Sequence, residues 1–290
     1  MTRRIAANPI PWWSQAGKTR EVFEDAFSAL RDIGFTAVKT DVPDGMGTGE
    51  YLDWLGGFGL EPSTGLFSSP LDDTVQVPQL LDRARRFAAQ QAALGLDRTM
   101  LSSMSVPERM QRPAVGAAFD QGRFDRAVDL AGRVCEVLLA EGVRPLHHSH
   151  VGGVFETEGE VTALLDTLGP DLLGFGPDTG HLAWAGADPV ALLRRYADRT
   201  GGIHLKDVHA DHLPAQDATG DYRTLSRSGR VWAEPGRGVL DLGAVLAALP
   251  EDYDGDYTIE VDVPSAGDVV ESHRISFAWA REVLGPVSAT

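Results

Sequence analysis

The sequence predicts a single (β/α)8 barrel, the TIM barrel architecture, with residues 1–290 forming one domain. Three observations predict it. Short apolar or β-branched runs alternate with amphipathic segments about ten to fifteen residues long, as repeated βα units require. Eight such runs follow one another along the chain, the number that closes a parallel barrel. A length of 290 residues suits that barrel, and no linker, low-complexity tract or compositional shift marks a second core.

The predicted strands are, in order, Ile5–Ile10, Thr36–Thr40, Glu61–Leu66, Arg98–Ser102, Arg144–His150, Leu172–Pro177, Gly202–Lys206 and Tyr257–Asp262. Helical patterns between them include Arg20–Ile33, Val77–Leu94, Arg123–Glu141, Glu158–Leu168, Pro189–Tyr196 and Leu242–Leu249. Thr157 can cap the helix that follows it, and Asp188-Pro189 puts proline in a first turn, where its missing N–H costs nothing. The longest irregular stretch, His209–Gly238, follows the seventh strand and is rich in Gly, Ser, Asp and Arg. In a barrel it overhangs the C-terminal face, so residues 209–238 are expected to form a lid.

With 43% hydrophobic residues the chain can bury a large core, while 42 Asp and Glu against 26 Lys and Arg leave a formal charge of -16. Such a surface repels phosphate backbones and anionic lipid, which argues against nucleic-acid and membrane partners. Cys135 is the only cysteine, so no intrachain disulfide can form. Arg3-Arg4 is followed by no apolar leader before Pro9 and Pro11, and no apolar run reaches membrane-spanning length. A cytoplasmic protein is the expectation, and homo-oligomerisation is compatible with it.

Chemistry is concentrated at the ends of the last four predicted strands. In Pro145-Leu146-His147-His148-Ser149-His150, alternation puts His148 and His150 on one face and His147 on the other. Gly176-Pro177-Asp178-Thr179-Gly180-His181 ends a strand in a carboxylate, a tight turn and an imidazole. His204 and Lys206 share a face of their strand, as do Glu260 and Asp262 of theirs. Any one strand-end histidine is more often a hydrogen-bonded structural group than a ligand. Four consecutive βα units presenting Asp, Glu or His at one end are different, because a barrel gathers those ends around one axis. Groups so crowded repel or stay unsatisfied unless a cation holds them. Nitrogen and oxygen donors without thiolate suit one divalent metal ion: Mn2+, Zn2+, Co2+ or Mg2+.

These motifs give the chain its resemblance to a known family. Asp178-Thr179-Gly180-His181, Ile203-His204-Leu205-Lys206-Asp207 and Ile259-Glu260 resemble the recurrent pattern of the xylose isomerase-like barrel superfamily. That superfamily holds sugar isomerases and epimerases, inosose dehydratases and endonuclease-IV-type enzymes. Within it the chain looks most similar to the inosose dehydratase-like subgroup, through Pro9, Ile10 and Trp12, the His-rich fifth strand leading to Glu156-Thr157, and Gly236, Gly238 and Asp241. By this resemblance Asp178, His204 and Glu260 look like metal ligands. The fourth is His148 or Glu156, with His150 also near, since many relatives place a glutamate on the fifth strand. His181 looks like a substrate-facing group or one that supports a ligand, and Lys206 like a contact to a substrate oxygen. His181, Lys206 and Glu156 are thus the expected catalytic residues, and Trp12, His150 and Lys39 the expected substrate contacts. Two departures bear on the substrate: Trp12-Trp13-Ser14 stands where dehydratase-like relatives have Trp-x-Asn, and Lys39 where they tend to have glutamate.

Other features read more simply. Trp12 and Trp13 are adjacent, so only one can face the mouth, to stack on a sugar or to pack the rim. Gly236-Arg237-Gly238 lacks the strand, helix and Lys-Ser/Thr of a phosphate loop and is read as a turn. Arg83 and Arg86 lie on one solvated helix face. The expected function is a metal-dependent sugar or cyclitol isomerase or epimerase that abstracts a proton beside a carbonyl through an enediolate. Ketocyclitol dehydration branches from the same intermediate and is the alternative. An endonuclease-IV-like nuclease or a non-catalytic barrel stands further off.

Overall fold

The computed structural model describes residues 4–73, 75–209, 220–228 and 231–285. Its strands are β1 (Ile5–Ala7), β2 (Ala37–Lys39), β3 (Glu61–Ser63), β4 (Leu66–Ser69), β5 (Arg98–Ser103), β6 (Arg144–His147), β7 (Gly174–Phe175), β8 (Ile203–Leu205), β9 (Asp207–Val208), β10 (Trp232–Ala233) and β11 (Tyr257–Ile259). Two parallel sheets, ordered β3-β2-β1-β11-β8 and β4-β5-β6-β7, make the barrel wall. They join at two seams. At one, the predicted strand Glu61–Leu66 divides: Lys39 aligns with Ser63 of β3, while Leu66 of β4 aligns with Met100. Between the halves, Gly65 carbonyl accepts from Met100 N–H at 2.9 Å, and a Cβ there would meet the Gln91 side chain at 2.5 Å. At the other seam Phe175 bridges to Thr200 and Asp178 to His204, both parallel. The TIM barrel predicted from the alternation is therefore the fold observed.

The helices are α1 (Ile10–Ala16), α2 (Arg20–Ile33), α3 (Thr48–Gly57), α4 (Val77–Ala93), α5 (Pro107–Gln111), α6 (Gln121–Ala140), α7 (Glu158–Leu172), α8 (Thr179–Trp184), α9 (Pro189–Arg195), α10 (Leu242–Ala247) and α11 (Val269–Leu284). Local chemistry sets their ends. Thr19 accepts from Val22 N–H to start α2, which stops at Gly34 in the left-handed region, φ 117°. Thr157 and Glu160 form a capping box on α7, and Asp188 caps α9 ahead of Pro189. Phe23, Ala26, Phe27 and Leu30 give α2 the apolar stripe that packs on the barrel wall.

At two boundaries a predicted strand residue lies in a helix. Ile10, predicted to end the first strand, begins α1, because Pro11 supplies a ready first turn. Leu172, predicted to start the sixth strand, belongs to α7, which kinks at Gly169 (φ 71°) beside Pro170. No described helix is long and apolar enough to cross a membrane.

Of the expected lid, residues 210–219 and 229–230 lie outside the described residues. Its flanks are tied down. Trp232 and Ala233 of β10 pair antiparallel with Val208 and Asp207 of β9. The Asp207 carboxylate accepts the N–H groups of Gly236, Gly238 and Leu240 at 3.1, 2.9 and 3.1 Å. Leu225, Val231 and Trp232 share an apolar cluster with Ala114, Val151, Trp184, Val208 and Val261 at the strand ends that carry the polar motifs.

Candidate active site

Alternation along the last strands delivers the polar groups. Ile203, Leu205 and Ile259 turn outward into the layer between barrel and helices, leaving His204, Lys206, Glu260 and Asp262 for the interior. The fifth strand ends at His147, whose ring meets Phe155 edge-on in the outer core. His148 continues the ladder through its N–H to Leu101 carbonyl at 2.9 Å and faces inward, its ring centroid 4.4 Å from that of His204. Asp178 caps α8 by accepting His181 N–H at 2.9 Å. Gly180 is required in that turn because a Cβ would strike Lys206 Cγ at 2.7 Å.

One donor atom each of His148, Asp178 and His204 lies within 4.8 Å of the others. Hydrogen bonds decide which nitrogens face the centre. His148 Nδ1 meets Gly176 carbonyl at 3.1 Å, and a carbonyl only accepts, so Nδ1 carries the proton and Nε2 keeps its lone pair. Glu260 Oε2 takes His204 Nδ1 in a short hydrogen bond, again leaving Nε2 as the free donor. His204 Nε2 and Asp178 Oδ2 are both buried without a directed hydrogen-bond partner. Lys206 Nζ stands 3.0 Å from Asp178 Oδ2, supplying charge but no aligned donor. Two imidazoles and a carboxylate with unused lone pairs pointing at one volume fit a divalent cation.

Lys206 organises the other side. Its ammonium lies 3.0 Å from Glu260 Oε1 and 3.2 Å from Asp262 Oδ1, fully buried. Burial works against its charge, but Asp178, Asp262 and Glu260 hold its pKa well above the lysine range. Burial likewise opposes ionised Glu260, and Lys206 and His204 nonetheless keep it well below the usual carboxylate range. Asp262 is pushed up to about 8 by burial, with Glu260 and Asp178 adding to the effect. Burial lowers the pKa of His148, His150 and His181, and the charge of Lys206 adds to the effect. Lys39, half-buried at the end of β2, is lowered by burial although it feels Asp41, Glu260 and Asp262.

A roof closes over these groups. Tyr222 stacks on His150 at 6.0 Å and leans on Trp184 at 5.2 Å. Trp232 lies edge-on to His181 at 4.7 Å, with Lys206 Nζ 4.7 Å from its ring centre.

The structure thus gathers His148, His150, Asp178, His181, His204, Lys206 and Glu260 from the sequence-derived set. Glu260 holds His204 and Lys206 and is not part of the His148–Asp178–His204 grouping. Glu156 is elsewhere engaged: its carboxylate accepts the N–H groups of Gly152, Gly116 and Ala114 at 2.7, 2.8 and 3.2 Å, and it joins neither metal-like grouping. Trp12, expected to touch substrate, sits on α1 with its ring 4.6 Å from that of His273. Sequence reasoning missed Asp262 as a member, although its face was visible, and missed Tyr222 and Trp232. The latter two lie in an excursion whose course no local periodicity reveals.

A parallel (β/α)8 barrel with buried histidines and carboxylates at the C-terminal strand ends has the form in which barrel enzymes carry their active sites. The family model for the xylose isomerase-like TIM barrel matches residues 27–283, and the chain belongs to that family. It is 27% identical to an inosose dehydratase of Geobacillus kaustophilus over 97% of this chain and 93% of that protein. The barrel resembles the IolI protein with a bound zinc atom (TM-score 0.71, 12% identity, 99% of this chain and 100% of that one). It also resembles an L-ribulose 3-epimerase (TM-score 0.71, 18% identity, 97% and 94%).

Proposed function

We propose that the chain is a divalent-metal-dependent enzyme that removes a proton beside the carbonyl of a small polyhydroxylated ketone, with dehydration of an inosose-type cyclitol as the outcome. The convergence of unused donors on His148, Asp178 and His204 beside the Lys206–Glu260–Asp262 cluster carries this reading. Near full-length similarity to an inosose dehydratase supports the dehydratase branch over the isomerase or epimerase branch. A bound divalent ion would supply Lewis acidity that makes the C–H next to a carbonyl more acidic.

The chain's own groups do the rest. His150 is held by its Nδ1 on Val151 carbonyl at 2.7 Å, so Nε2 keeps a lone pair and is the group assigned to take the proton and hand it to the departing hydroxyl, which leaves as water. Lys206 keeps a positive charge where an enediolate oxygen develops. Tyr222, Trp184 and Trp232 exclude water from the reacting face.

Incubating Mn2+-loaded protein with a panel of inososes and ketoses in D2O, followed by NMR, tests this. Deuterium beside the carbonyl together with loss of a hydroxyl is the expected result. Deuterium without hydroxyl loss assigns the isomerase or epimerase branch. Turnover that neither requires metal nor introduces deuterium overturns the reading.

A further inference from the structure

The chain has three lysines in 290 residues, and all three stand at the mouth of the barrel. Lys206 directly follows β8, Lys39 closes β2, and Lys18 lies in the connection from β1 to α2. In a protein of formal charge -16, that placement gathers ammonium groups where a substrate enters. Two of the three are paired. Lys206 is bound by Asp178, Glu260 and Asp262, and Lys18 is paired with Asp41. Lys39 enters no ion pair among the described residues, yet it is turned inward. Val38 packs in the layer between barrel and helices, so alternation sends Lys39 to the barrel interior. The charges that act on Lys39 are, in order, those of Asp41, Glu260, Lys18 and Asp262. It stands between the Lys18–Asp41 pair at the rim and the Glu260–Asp262 side of the site.

Charge counting locates an excess. With a divalent ion bound, Asp178, Glu260 and Asp262 face three positive charges, the ion's two and that of Lys206, even when Asp262 is counted as ionised. That end of the site is balanced. At the β1–β2 end, Lys18 and Lys39 have only Asp41 between them, which leaves one ammonium without a counter-ion. Burial works against the charge on Lys39, and a half-buried cation lacking a partner costs free energy. A bound anion removes that cost through a charge-assisted hydrogen bond. A neutral hydroxyl satisfies an N–H of Lys39 but leaves its charge uncompensated.

Resting on the functional reading above, we propose that Lys39, backed by Lys18, receives an anionic group of the substrate at the β1–β2 side of the mouth. The polyhydroxy ketone then carries a carboxylate or a phosphate ester, with its carbonyl toward His148, Asp178 and His204 and its acid group toward β2.

Calorimetry on Mn2+-loaded protein tests this with three ring-matched ligands: an inosose, its phosphate ester and a polyhydroxycyclohexanone carboxylate. At least one acidic ligand should bind about tenfold or more tightly than the inosose, and which of the two does so identifies the acid group. Lys39→Met should bring that ligand down to the affinity of the inosose, while Mn2+ content stays at the wild-type value. Lys18→Met, an exposed change, should reduce the preference in part. Inosose binding at least as tightly as both acidic ligands overturns the anion subsite, and so does a preference that survives Lys39→Met. Either result leaves the metal-assisted reading standing where the inosose still exchanges deuterium in a metal-dependent way. If none of the three ligands binds or exchanges, the functional reading falls and the subsite with it. Should Lys39→Met not fold, the wild-type ligand series and Lys18→Met still decide, and an acid preference untouched by Lys18→Met counts against the subsite.

Discussion

Glu260 and His181 separate two roles that look alike in the sequence. Glu260 fixes the tautomer of His204 and balances Lys206, so Glu260→Gln should weaken metal affinity about 10–100-fold and lower turnover with it. Competition against a chromophoric chelator measures the first effect. His181 lies outside the His148–Asp178–His204 grouping, so His181→Ala should lower turnover far more than metal content. His147 offers a pH test outside the site. Burial lowers its pKa from 6.5 to about 3, so the unfolded chain binds the extra proton between those values. Stability from keeping this ring neutral is complete above pH 6.5 and is lost as pH falls toward 3. The loss amounts to roughly a few kcal/mol at most. Urea midpoints of His147→Leu should therefore fall less steeply than wild type across that window; parallel slopes would refute the assignment.

At the scale of elements, the loops over the barrel mouth hang on buried polar anchors. Arg109 binds Gly153 and Val154 carbonyls, each at 2.9 Å, and is paired with Glu160. Glu156 holds Gly152 and the segment around Ala114, which adopts φ 67°. Removing Glu156 as Ala strands those buried N–H groups and should cost about 2–4 kcal/mol of folding stability. Folded Glu156→Ala protein should still bind metal in full stoichiometry. A metal-free but equally stable variant would return Glu156 to the list of ligands. Legibility differed in the same way between elements. Thr157 and Asp188-Pro189 announced their helices, because caps are local. The split of Glu61–Leu66 into β3 and β4 was invisible, because it depends on which strands lie on either side.

For the whole molecule, the formal charge of -16 works against a phosphate-backbone partner. At physiological salt we expect no measurable binding to duplex DNA and no nicking of abasic duplex, assayed by mobility shift and gel. Nicking that Asp178→Asn abolishes would replace the small-molecule reading with a nuclease.

Alternation of strand and helix, the eight repeats and the His, Asp and Glu motifs on the last four strands were determined by the sequence alone. They depend on periodicities of two and 3.6 residues, which any short window displays. Tertiary structure decided which of those groups meet. The sequence left His148 and Glu156 equal as ligands. Only folding showed that the Gly176 carbonyl turns His148 Nε2 toward the centre while three backbone N–H groups occupy Glu156. Tyr222 and Trp232 joined the site for the same reason. Their distance from His150 and His181 depends on how a long excursion folds back over the barrel, and a side chain's partners across such a span are set by packing, which no local pattern encodes.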